Sequence, residues 1–237
     1  MKKDFLQGMR HGIPIMLGSL SVSFGFGINA VALGLTVLEA VGISLTNLTS
    51  AGQVAGVSVI AAGGTLLEMA LCQLVINLRY SLMGFSLSQN LSADFSTPHR
   101  LVASFGITDE IFAVASSRAE PVTPYYMYGL EIVSIAGWTL GTFLGAAAGN
   151  ILPERLTAAL GLMLYGMFIA IIIPPARKDF KVLIVILFSA AMSVFIRFFL
   201  PFITEGFSII ICAIIASVVC ALLFPRREND RKGEERV

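Results

Sequence analysis

"QVAGVSVIAAGGTLLEMALCQLVINL", Gln53 to Leu78, runs for 26 residues with a single charged side chain, Glu68. About 20 mainly apolar residues suffice to cross the hydrocarbon of a bilayer, so the stretch reads as one membrane span. A charge well inside such a span costs of order ~3 kcal/mol on insertion scales and faces the bundle interior or a water-filled path. Gln73 and Asn77 are four apart and share a helix face, while Glu68 and Arg79, eleven apart, fall within about 20° of each other around the axis. The helix so drawn carries two polar stripes, more than a plain anchor needs.

The rest of the chain has the same character. Of its 237 residues, 56% are hydrophobic and 13% charged, and the mean hydropathy is strongly positive. This composition predicts an all-α, polytopic integral membrane protein. A net charge of +1 suggests neither a nucleic-acid partner nor an acidic substrate. Cys72, Cys212 and Cys220 lie inside apolar runs without metal-ligand spacing, so they read as packing residues. Lys2 and Lys3 are not followed by a short apolar core and a small-residue cleavage site, so no removed signal peptide is expected.

Six spans are predicted, at 13–35, 53–78, 125–150, 156–174, 182–201 and 206–224. The segments 36–50 and 90–118 are too polar or broken to count and are expected to be re-entrant or interfacial. With the N-terminus inside, 14 of the 16 Lys and Arg fall on the cytoplasmic side, leaving Arg155 and Arg197 near the outer face. The positive-inside rule then places both termini in the cytoplasm, and the expected location is the cell (inner) membrane. Residues 1–225 form a single transport domain, and 226–237 a charged, solvated tail.

Gly137, Gly141, Gly145 and Gly149 recur every fourth residue and line one helix face, a stripe that lets another backbone come close. In "SVSFGFGINA" the cluster of Ser21, Ser23, Gly25, Gly27 and Asn29 disfavours helix and predicts a local unwinding of the first span. Irregular backbone at that depth implies a cavity. The same string fits a Gly-x-Gly-x-x-Ala dinucleotide pattern, but no soluble strand-turn-helix unit surrounds it. Thr49 and Ser50 read as an N-cap, with Gly52 and Gln53 in the first turn of the following helix. Such a helix start either binds a carboxylate or is an ordinary capped end at the outer interface.

"LVASFGITDEIFAVASSR" carries Asp109 and Glu110 in a run too short to cross. Adjacent residues point about 100° apart, so at most one acid is expected to pair with Arg79, leaving the other for a cation or proton. Arg197 is expected to snorkel or to pair with Glu205 or Glu39. An enzyme is not expected. His11 and His99 are the only histidines, and no spacing makes a metal site or a nucleophile-base pair. No cofactor is expected either.

Taken together and in order, "SFGFG", "SAGQ", "NLRYSLMGFSL", "TDE", "GTFLGAAAGNILP" and "YGMFIAIIIP" give a chain that resembles the AzlC-type branched-chain amino acid exporter family over nearly its whole length. Three positions depart from the family pattern. Ser23 stands in place of a usual proline, Gly52 and Gln53 are adjacent where the family has residues between them, and Tyr80 replaces a histidine after the arginine. The resemblance implies a permease that exports hydrophobic amino acids and works with a small AzlD-type membrane subunit. The site residues expected for substrate are Ser23, Phe24, Gly25, Gly27, Gly52 and Gln53. Glu68, Asn77, Arg79, Asp109 and Glu110 are expected to form an inner gate or coupling network, with proton coupling left open. A passive channel for small solutes is the alternative, and a purely structural subunit held through the glycine stripe is a further one.

Overall fold

The computed structural model describes residues 1–149 and 179–224, with six isolated positions between them. Apart from isolated positions, the expected span 156–174 lies outside the described residues, as does the tail 226–237. Nine helices are described: α1 Lys2–Ala32, α2 Val37–Thr46, α3 Ala51–Ala61, α4 Leu66–Ser88, α5 Thr97–Phe105, α6 Asp109–Ser116, α7 Pro124–Gly149, α8 Phe180–Phe199 and α9 Glu205–Leu223. Five of them, α1, α4, α7, α8 and α9, are long and apolar enough to cross a membrane.

The frame is a parallel pair. Gly137 of α7 meets the backbone of Met16, Gly141 that of Leu20, and Gly145 that of Phe24, while on α1 Gly8 faces the carbonyl of Tyr126 and Gly12 that of Leu130. A Cβ added at Gly12 would lie 2.9 Å from the Leu130 carbonyl oxygen, and one at Gly137 would lie 2.7 Å from that of Met16. Only glycine permits this approach. The predicted stripe on α7 is therefore a packing surface, and α1 is what packs on it.

This seam also corrects the reading of Ser23 to Gly27, because α1 runs unbroken through them. Gly27 packs against Thr142 and Ala146, and the Ser23 hydroxyl donates to the Ser19 carbonyl at 2.8 Å. In lipid no water competes for the backbone bonds, so glycine does not unwind the helix there.

The second correction concerns Gln53 to Leu78, which is not one span. Gly63, at a φ of +68°, ends α3, and Thr65 caps α4 by accepting from the Glu68 amide at 3.2 Å. Glu68 thus sits in the first turn of α4 rather than mid-span.

Let the near face be the one where α1 begins and the far face the one where it ends. The ten residues of α2 make a helix about 15 Å long, half of a ~30 Å hydrocarbon core. Ala40 packs with Phe26, Ala30 and Ala146 near the far end of the frame. One turn deeper, Ser44 bonds Thr142 at 2.6 Å. The chain turns at 47–50, and α3 climbs back until Val57 rejoins the Ala40 cluster. Residues 36–61 are accordingly a hairpin that enters from the far face and turns at mid-depth.

Residues 97–116 form a second hairpin at the near end of the frame. His99 bonds Tyr128 at 2.7 Å, Gly106 at the tip lies on Glu131, and α6 returns with Ile111 and Ala115 packed among Tyr126, Met127 and Leu130. Two backbone bonds of 2.9 Å, Ser92 N–H to Val122 and Val122 N–H to Asn90, close its base. Both uncounted segments thus fold as helical hairpins against the frame.

Replacing Gly141 with valine is expected to part α1 from α7 and lower the folded yield and melting temperature, an overpacking cost of about 1–3 kcal/mol or more. Gly42→Ala, at a helix position with nothing within 4 Å, is the control; it is expected to leave melting unchanged or raise it. Equal melting of the two variants in detergent would contradict the seam.

Candidate functional site

Where the two hairpin tips approach each other, a cavity of about 570 Å³ opens, within the range of small-molecule sites. The far hairpin contributes Leu48, Ser50 and Ala51, and the near hairpin contributes Thr108, Asp109, Glu110 and Ile111. Pro14, Ile15, Gly18, Ser19 and Val22 of α1 and Ser134, Ile135 and Trp138 of α7 form the frame side. From α4 come Arg79 and Tyr80. Two helix N-termini, those of α3 and α6, thus reach one cavity from opposite faces, each bringing the positive end of a helix dipole.

The charged wall is an ion pair. Arg79 Nη1 lies 2.8 Å from Asp109 Oδ2, and its Nη2 donates to the Tyr80 hydroxyl at 3.2 Å. The guanidinium also stands 4.9 Å from the Tyr80 ring centre. Glu110 does not share the arginine; it accepts from the Thr108 hydroxyl at 2.9 Å. One acid pairs and its neighbour does not, as the 100° step between them requires. Arg79 and Asp109 are each 42% exposed, so the pair faces space that water or a ligand can fill.

The far hairpin is held by buried polar bonds. Gln53, fully buried, donates through Nε2 to Ser44 Oγ at 2.9 Å and accepts through Oε1 from Trp138 Nε1 at 2.9 Å. Gly52 lies against Gln73 and Asn77. The Gln73 amide donates to the Gly52 carbonyl at 2.7 Å, and Asn77 Nδ2 donates to Gln73 Oε1 at 2.8 Å. Ser50, at the tip, takes a φ of +50°, a strained backbone for a serine. These contacts satisfy a helix end that lipid could not.

Of the residues expected at the substrate, Ser23, Phe24, Gly25, Gly27, Gly52 and Gln53, none is among the cavity-lining residues. The first four belong to α1 at its seam with α7; Gly52 and Gln53 brace the far hairpin from behind the wall. Of the gate residues, Arg79, Asp109 and Glu110 come together at the cavity, whereas Asn77 stays with Gln73. Glu68 lies elsewhere: Oε1 accepts from the Gly206 amide at 3.0 Å and from the Thr204 hydroxyl, which fastens α4 to the start of α9. Sequence reasoning missed Trp138, the only tryptophan, along with Thr108, Ser134 and Glu131. A lone tryptophan inside the glycine stripe was the available signal for the first of these.

Comparison with known proteins finds relatives that are membrane proteins. A family model described as AzlC protein matches residues 14–152. The chain is 28% identical over 226 residues to inner membrane protein YgaZ of Escherichia coli (strain K12), covering 92% of this chain and 88% of that one. An uncharacterized membrane protein of Archaeoglobus fulgidus is 32% identical over 172 residues, 72% of this chain and 75% of the relative. A third relative, an uncharacterized membrane protein of Helicobacter pylori, is 25% identical over 152 residues, which is 62% of this chain and 65% of that protein. No solved structure matches the chain.

Trp138→Phe keeps an aromatic ring, though a smaller one, and removes the donor to Gln53. The expected cost is about 1–3 kcal/mol, from a buried amide left short of one partner, and it should be read as faster amide exchange confined to residues 44–53. Unchanged exchange there would remove Trp138 from the brace.

Proposed function

The chain belongs to the AzlC family of membrane proteins, and on that premise we propose that it is a secondary transporter exporting branched-chain or similar hydrophobic amino acids from the cytoplasm. The observation that carries the reading is the cavity bounded by two hairpin tips that enter from opposite faces, with the Arg79–Asp109 pair on its wall. An amino acid offers three handles. Its carboxylate suits Arg79 and the first-turn amides of α3 and α6, and its ammonium suits Asp109 or Glu110. Its aliphatic side chain suits Ile15, Val22, Leu48, Ile135 and Trp138.

We place the near face in the cytoplasm of a cell whose inner membrane holds the protein, because Lys2, Lys3, Arg10, Arg100 and Arg118 gather on that side. The substrate, on this reading, enters past the near hairpin and leaves past the far one. The exposed leucines of α4, among them Leu66, Leu74 and Leu82, present an apolar face that lipid or a small AzlD-type subunit would cover. We assign substrate contact to the cavity wall, which Ser23, Phe24, Gly25, Gly27, Gly52 and Gln53 do not line.

The test is uptake of labelled leucine into inverted membrane vesicles, with and without the small partner. Saturable uptake that isoleucine and valine compete for is expected, and non-saturable flux would mean a channel instead. Arg79→Ala at equal protein level is expected to lower uptake at least tenfold, about 1.4 kcal/mol or more of lost interaction. Uptake unaffected by that change would overturn the assigned site.

A further inference from the structure

Glu131 is the one carboxyl inside the frame that the transport site does not use. It sits about 10 Å along α7 from its start at Pro124, its residue is 4% exposed, and its Oε1 is buried without a hydrogen-bond partner. No ion pair reaches it among the described residues. What covers it is the tip of the near hairpin: a Cβ added at Gly106 would lie 2.5 Å from Glu131 Cδ and 3.0 Å from Oε1. With glycine at this position the tip closes directly on the side chain where it stands.

The groups around it are committed elsewhere. On α1, His11 bonds the Tyr126 hydroxyl at 2.8 Å. On α5, His99 bonds Tyr128 at 2.7 Å and Arg100 donates to the Phe95 carbonyl at 3.2 Å. On α6, Asp109 faces Arg79 and Glu110 faces Thr108. On α7 itself, Tyr128 is taken by His99, and Tyr125 stacks edge-on against Tyr128 at 6.5 Å between ring centres. After α6, Arg118 lies over the Tyr126 ring at 3.8 Å and pairs with Glu120 at 3.1 Å, and none of these groups makes an ion pair with Glu131 among the described residues.

We propose that Glu131 is a proton-binding site of transport, occupied while the near hairpin is closed on it and emptied when the hairpin lifts and water reaches the carboxyl. An unpaired charge in a dry site costs several kcal/mol, and lifting Gly106 away relieves that cost by hydration. The proton therefore favours the closed hairpin and the open hairpin favours release, and by linkage each biases the other equally. A substrate crossing past this hairpin moves with a proton step. The inference rests on the transporter reading above, whose coupling ion it names.

The first experiment needs no substrate. Amide exchange of residues 99–112 is measured in the full-length protein in lipid, wild type beside Glu131→Gln, from mildly acidic to mildly alkaline pH; comparison at each pH cancels the intrinsic pH dependence of exchange. Faster exchange in wild type, with a gap that widens as pH rises, is expected, and Glu131→Asp, which still titrates, should follow wild type. Equal exchange of wild type and Glu131→Gln at every pH would overturn the proposal. In proteoliposomes accumulation of leucine driven by an imposed pH gradient is expected to fall roughly tenfold in Glu131→Gln, within the usual range of coupling factors, and to stay near the wild-type level in Glu131→Asp. Driven accumulation retained in Glu131→Gln, or lost as fully in Glu131→Asp, would also overturn it. If the wild type moves no leucine in either assay, the transporter reading fails by itself, and the exchange comparison still decides whether the hairpin and the proton are linked.

Discussion

Backbone resting on backbone between α1 and α7 is the contact from which the rest of the molecule hangs. Their glycines bring the two helices closer than any side chain would allow, and the pair is parallel, so both run from the near face to the far one. Each re-entrant hairpin is then hung on α7: the far one by Ser44 on Thr142 and Gln53 on Trp138, the near one by His99 on Tyr128 and Gly106 on Glu131. The cavity is the space left between two tips fixed to one mast. Without the seam there is no common support, and half-helices ending inside lipid would have nothing to satisfy their ends.

The two attachments differ in kind. The far tip is closed by buried donor-acceptor bonds in which Gln53 uses both its amide nitrogen and its oxygen. The near tip ends on a carboxyl with an empty acceptor. Connecting them is α4, whose Gln73 holds Gly52 of one hairpin and whose Arg79 holds Asp109 of the other. Six residues apart, these grips are about 9 Å from each other along a helix. A displacement of either tip is felt by the same rigid rod.

Much of this plan could be read from the chain. Composition gave the class, the four-residue glycine period gave a packing face, and the offset between Asp109 and Glu110 anticipated that Arg79 would hold only one of them. The misreadings have physical causes. Small residues at Ser23 to Gly27 weaken a helix in water, yet within lipid they serve as a contact surface, so a propensity argument pointed the wrong way. The run Gln53 to Leu78 was long enough to span, and length outweighed a local signal. Gly63 and Gly64 followed by Thr65, with Glu68 three residues on, is a helix stop and then a capping pattern. Glu131 was overlooked because a single acid early in an apolar helix resembles an interfacial one, and what makes it distinctive, the glycine across from it, lies 25 positions away in the sequence.

The parallel seam also bears on how the protein is made. Helices that pair side by side in the same direction cannot be a hairpin, so α1 enters the bilayer long before its partner exists. About ninety residues separate the end of α1 from the start of α7, on the order of ten seconds at ordinary rates of synthesis. During that interval a face lined with Gly8, Gly12, Ser23 and Gly27 has only lipid, the insertion machinery or another nascent chain to rest against. The groove that later fixes the fold is thus, for a time, an unclaimed surface, and quality control in the membrane would meet this protein first along that groove.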